Sequence, residues 1–145
     1  MQRIHIVAVG KLKEGYLREA VAEYSKRLSR FCDLDIAEVA ERQTLEAEGR
    51  DILRAERGYV VALAVEGRQM SSPAFAARMK ELSDAGKEVT FVIGSSCGLC
   101  DDVKKGADLL LSFSEMTFPH QLMRVVLCEQ IYRAFMINAG AEYHK

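Results

Sequence analysis

From Leu122 to Asn138 the chain runs for seventeen residues without glycine or proline, and apolar side chains occur around nearly the whole helical circumference. A helix that is apolar all round is buried on several sides. A domain of 145 residues has limited interior, so part of this helix is expected to meet a second copy of the chain, which predicts a homodimer. The segment before it constrains the fold as strongly. An apolar run, Leu109-Leu110-Leu111, gives way to a polar loop that holds Pro119 and His120. Strand, loop and long helix in that order form the kind of crevice in which open α/β sheets hold ligands.

Upstream the pattern alternates. Strand-like runs cover 3–9, 34–39, 59–65, 88–93 and 108–113, several of them apolar on both faces, as strands buried on two sides require. Between them lie helical patterns at 15–30, 44–57 and from Ser71-Ser72-Pro73 to just before Gly86. The last has a serine to cap it, a proline in its first turn and a glycine beyond its end. Strands alternating with helices predict an α/β fold, a mainly parallel sheet with helices on both faces. Neither a linker nor an internal repeat divides the chain, so residues 1–145 read as a single domain.

Composition narrows the function. Twenty basic against 21 acidic side chains give a net charge of −1, which argues against a uniformly basic surface for non-specific nucleic-acid binding. A local patch remains open, since Lys11, Lys13, Arg18, Lys26, Arg27 and Arg30 cluster early. No run is long enough to span a membrane, and the N-terminus lacks the apolar core of a secretion signal. The expectation is a cytoplasmic protein with no membrane partner and with reduced thiols. Cys32 and Cys128 lie in apolar surroundings and read as core fillers. Cys97 and Cys100 form a CxxC ahead of a short helix, the arrangement of a thiol redox site, yet they come after about two-thirds of the chain instead of after the first βαβ pattern. One such pair supplies too few ligands for a structural zinc, so no metal is expected.

Three stretches carry chemistry: 94–99 (Gly-Ser-Ser-Cys-Gly-Leu), 111–134 (Leu-Ser-Phe-Ser-Glu-Met-Thr-Phe-Pro-His-Gln and the helix after it), and the ending Tyr143-His144-Lys145. Together with Val7-Ala8-Val9-Gly10-Lys11-Leu12-Lys13 they closely resemble the bacterial RlmH family, SPOUT-class methyltransferases that act on N3 of a pseudouridine in large-subunit (23S) ribosomal RNA. The resemblance covers essentially the whole chain. It implies a SPOUT fold with a C-terminal trefoil knot, S-adenosylmethionine as cofactor, a dimer through the last helix, and ribosomal RNA, on the assembled ribosome, as partner. Carried over residue by residue, it places cofactor contacts at Leu63, Gly94, Phe113, Ser114, Glu115, Met116, Thr117 and Phe118. It implies that the tail closes over the site, with His144 polarising or deprotonating the base beside Tyr143, and with Arg124 binding phosphate or a base carbonyl. His120 would order the loop.

One position departs from the family pattern, which usually has two adjacent glycines after the Val-Ile strand; here the second is Ser95. A position needing positive φ or bare backbone would be strained by serine. That departure motivates a second reading, an RNA- or ribosome-binding dimer with impaired catalysis. The CxxC motivates a third, a thiol redox protein.

Overall fold

The computed structural model describes all residues from Met1 to Lys145. Five strands, β1 (Gln2–Val9), β2 (Cys32–Val39), β3 (Tyr59–Gln69), β4 (Val89–Ile93) and β5 (Leu109–Ser112), form one sheet in the order β2-β1-β4-β3-β5. Every neighbouring pair is parallel. The register sets Ile6 beside Phe91 and Val61 beside both Phe91 and Leu109, so large apolar residues run across the sheet in rows.

Five helices cover it: α1 (Gly15–Leu28), α2 (Leu45–Ala55), α3 (Ser72–Asp84), α4 (Asp101–Gly106) and α5 (His120–Asn138). On one face α1, α3 and α5 pack Leu28, Phe75, Leu127 and Ile131 against Ile4, Ile6 and Phe91. On the other, Ile52 of α2 and Val103 of α4 close over Val7, Val9 and Val92. The period-two alternation of the strands therefore feeds two separate cores, as helices on both faces require. The expected α/β architecture is the observed one.

Local chemistry sets the ends of the elements. Thr44 caps α2 by accepting a hydrogen bond from the Ala47 N–H at 3.1 Å, and Ser71 caps α3 through the Ala74 N–H at 3.2 Å. Helix α5 starts at His120, two residues before the sequence pattern suggests, because Pro119 occupies its N-cap with φ −55° and its carbonyl accepts from Met123.

Strand β3 departs from the reading that ended it at Val65. It continues to Gln69 after a register shift: Leu63 pairs with Leu111, and Arg68 pairs with that same residue beyond the bulge. The intervening residues bow out from the sheet, and Ala64, Val65 and Glu66 become the wall of a cavity.

Candidate functional site

A cavity of about 730 Å³ opens beyond the carboxyl ends of β3, β4 and β5. Three segments surround it: the bulge of β3, the loop 94–99, and the segment from Leu111 to His120. Ligands of parallel sheets bind in this position because side chains and free backbone groups converge where strands end. Leu63, Gly94, Phe113, Ser114, Met116, Thr117 and Phe118, all named from sequence, line it, whereas Glu115 does not.

Backbone shapes the loop after β4. A Cβ built on Gly94 would fall 2.7 Å from the Gly98 carbonyl carbon and 2.9 Å from a Leu99 methyl, so the chain folds back on itself too tightly for any side chain there. Ser95 and Gly98 form an isolated antiparallel bridge, with the Gly98 N–H donating to the Ser95 carbonyl at 2.9 Å. Gly98 takes the left-handed conformation at φ +88°, and no residue other than glycine has positive φ anywhere in the chain. Ser95 is therefore unstrained, and the departure at this position costs no backbone energy. The demand for a left-handed residue falls three places later, on Gly98.

Side chains complete the wall. Ser112 donates its hydroxyl to the Ser114 carbonyl at 3.0 Å, and the Ser114 hydroxyl accepts from the Met116 N–H at 3.0 Å, so the segment is held as successive tight turns. Met116 remains 75% exposed and Phe118 is also open to solvent, an apolar rim unusual for a lone surface. His120 faces the cavity, and its Nε2 is buried without a hydrogen-bond partner. Glu66 and Lys104 are the only formally charged side chains on the wall.

The remaining candidate residues lie elsewhere. Arg124, only 2% exposed, donates from Nη1 to Glu38 Oε2 at 2.6 Å and from Nη2 to the Gly10 carbonyl at 3.1 Å. Two of its five N–H donors are used inside the protomer and the side chain is buried, so in this protomer it presents no surface for the expected substrate contact. It also does not pair with Glu129. Arg133 takes that carboxylate instead, with Nε 3.2 Å from Glu129 Oε1. The tail folds onto the same helix: the Tyr143 hydroxyl donates to Glu129 Oε2 at 2.8 Å, and Arg133 Nη1 lies 3.0 Å from His144 Nδ1. The Tyr143 ring packs edge-on against Tyr132 at 5.0 Å, with the Arg133 guanidinium 4.9 Å from its centre. Burial, followed by its bond to Glu129, pushes the Tyr143 phenol up to about 12. It is a neutral donor at physiological pH, unsuited to act as a base. Neither Tyr143 nor His144 lines the cavity of its own protomer.

The two cysteines of the CxxC face different surroundings. Cys97 is exposed on the cavity wall, while Cys100 is buried in the second core, against Gly49 and Val103. No cluster of three or more His, Cys, Asp or Glu side chains is placed to hold a metal ion. No helix is long and apolar enough to cross a membrane.

The family model described as "Predicted SPOUT methyltransferase" matches residues 2–144. Ribosomal RNA large subunit methyltransferase H of Bifidobacterium adolescentis is 51% identical over 158 aligned positions, which cover 99% of this chain and 99% of that protein. The protein of that name from Streptococcus sanguinis is 50% identical over the same shares of both chains. Among solved structures, a methylase family protein from Haemophilus influenzae superposes with a TM-score of 0.57 at 9% identity, covering 96% of this chain and 67% of that one. Legionella pneumophila Lpg2936, solved with bound S-adenosylmethionine, gives 0.51 at 13% identity and covers 92% and 66% of the two chains. These two are likenesses of fold. A match running from Gln2 to His144, with relatives that share half their residues over the full length, places the chain in the SPOUT methyltransferase family.

Proposed function

We propose that this protein transfers a methyl group from S-adenosylmethionine to N3 of a pseudouridine in large-subunit ribosomal RNA, working as a cytoplasmic homodimer on the assembled ribosome. The cavity bounded by Gly94 and the 113–118 segment is the observation that carries the reading. The residues present fit the cofactor. Leu63, Met116 and Phe118 offer apolar faces to a purine, and the 94–98 loop, drawn in tightly at Gly94, offers backbone polar groups to a ribose. When bound, the cofactor supplies the electrophilic methyl group.

The chain's own residues would supply the rest. The target nitrogen is an imide N–H, which must lose its proton to become nucleophilic. His144 is the proposed acceptor or polariser, since imidazole is the side chain most ready to take a proton near neutrality. Arg133 donates to its Nδ1, so Nε2 carries the ring proton and can polarise a base carbonyl; taking up the imide proton requires that the bond to Arg133 be released first. Tyr143, kept neutral, donates to Glu129 and orients the tail. Because the tail rests on α5 and away from its own cavity, a second copy packed along that helix would bring His144 to the partner's cavity. Positioning the base against the methyl group supplies much of the rate in this arrangement. A trefoil knot formed by the C-terminal segment belongs to the same reading.

The test is mass spectrometry of 23S ribosomal RNA from cells with and without the protein. A methyl group on a pseudouridine that disappears with the protein, and returns with a plasmid copy, is the expected result. An unchanged modification pattern, with no binding of S-adenosylmethionine at millimolar concentration, would favour the non-catalytic RNA-binding dimer instead.

A further inference from the structure

Lys104 of α4 and Glu66 of the β3 bulge meet across the wall of the cavity, Nζ to Oε1 at 2.8 Å. Their side chains are 30% and 55% exposed, so water reaches both. Thirty-eight residues separate them in sequence, and only the outward bow of β3 brings the carboxylate to the helix. An exposed pair of this type adds little stability by itself. Its place is unusual because every other group on the wall is apolar, a neutral polar side chain or backbone, apart from His120.

The geometry points to a subsite for the amino-acid head of the cofactor, in which Lys104 takes the carboxylate and Glu66 takes the ammonium. The inference rests on the cofactor reading above. A zwitterion entering an otherwise uncharged wall would lose hydration with no compensating partner. Here one cation and one anion wait side by side at a spacing that suits neighbouring charges of opposite sign. When the ligand enters, Lys104 and Glu66 exchange each other for the ligand's carboxylate and ammonium, so no charge is left alone at any stage. The Lys104 hydrogen bond holds the Glu66 carboxyl below its usual range, so it is an anion at neutral pH. The pair would select ligands with an intact amino-acid end over truncated thioether nucleosides.

Two stable ligands that differ in this end decide the matter: S-adenosylhomocysteine, which has the zwitterion, and methylthioadenosine, which lacks it. Calorimetry on the full-length protein compares wild type with Lys104→Met, Glu66→Gln and the charge-swapped double variant Glu66→Lys with Lys104→Glu. Each variant is expected to bind S-adenosylhomocysteine about tenfold or more weakly, as the loss of a charge-assisted hydrogen bond implies, with methylthioadenosine affinity held within about twofold. The swapped variant keeps a salt bridge but reverses its direction. Full recovery of S-adenosylhomocysteine affinity in it would show that the bridge alone matters and would overturn the proposal. Equal losses for both ligands, or no loss for either, would also overturn it. If wild type binds neither ligand, the cofactor reading falls as well.

Discussion

Arg124 in α5 and Glu38 in β2 are joined at 2.6 Å although 86 residues separate them, and the Leu12 N–H donates to the same carboxylate oxygen at 3.1 Å. The last helix, the edge strand and the turn after β1 are thus fastened through one carboxylate. Burial alone would raise the Glu38 carboxyl, but the bonds from Arg124 and the Leu12 N–H outweigh it and hold the group below its usual range. Glu38→Gln is expected to cost about 2 kcal/mol, less than a fully buried pair because the Glu38 side chain is 36% exposed. The sign follows from linkage: a depressed folded-state value stabilises above the unfolded value and ceases to do so as pH falls through the folded one. Melting curves of wild type and Glu38→Gln should differ by a constant amount above pH 4.5 and converge below it.

Gly94→Ala forces a methyl group against the Gly98 carbonyl carbon and Leu99. The loop must shift, at a cost of about 1–3 kcal/mol typical of overpacking. Calorimetry should show S-adenosylhomocysteine binding largely abolished in a protein that still unfolds cooperatively.

Cys97 is the only exposed thiol, since Cys32, Cys100 and Cys128 are buried. Burial pushes both Cys32 and Cys128 up to about 12, which keeps them as unreactive thiols at neutral pH. Iodoacetamide followed by peptide mapping should label Cys97 first, and saturating S-adenosylhomocysteine should slow that labelling at the cavity wall. Cys97→Ser with Cys100→Ser should leave methylation intact, which a redox protein would not permit.

His144→Ala should lower turnover on ribosomes by about a hundredfold or more while cofactor affinity stays within about twofold, since a group that polarises or deprotonates the base acts only in the chemical step. Tyr143→Phe should be milder, because it removes a donor that orients the tail and leaves the imidazole in place.

Helix α5 keeps Val125, Val126, Tyr132, Phe135 and Ile137 only partly covered within one chain. Light scattering at micromolar concentration should therefore give about twice the 16.2 kDa chain mass. A charge placed in that stripe, such as Val125→Glu, should shift the mass toward a monomer.

The layered architecture was legible because strands buried on both faces and helices with one apolar side leave different periodicities. The cavity residues at 63, 94 and 113–118 were placed by the family resemblance, since periodicity marks where strands end and not what their loops hold. What periodicity could not carry were pairs distant in sequence. Nothing in the spacing of Arg124 indicates that Glu38 receives it, and Glu129, nearer along the helix, was the natural alternative. Glu66 was missed for a related reason, since a polar Glu-Gly-Arg stretch after Val65 reads as the end of a strand. Ser95 shows the reverse error, in which a departure from a family pattern suggested strain that its backbone does not have.

The bowed stretch of β3 makes contour length part of this architecture. Leu63 and Arg68 are both pinned to Leu111, so the residues between them form a closed loop of fixed circumference. Inserting or removing one residue there would enlarge or shrink the bow itself and so move Glu66 relative to Lys104 across the cavity wall. The turn between β2 and α2, from residue 40 to 44, pairs with no strand and is held to α2 alone through Arg42 and Thr44, so a change of length there leaves the sheet register untouched. Natural size differences among such proteins should accumulate at that turn and be excluded from the bow.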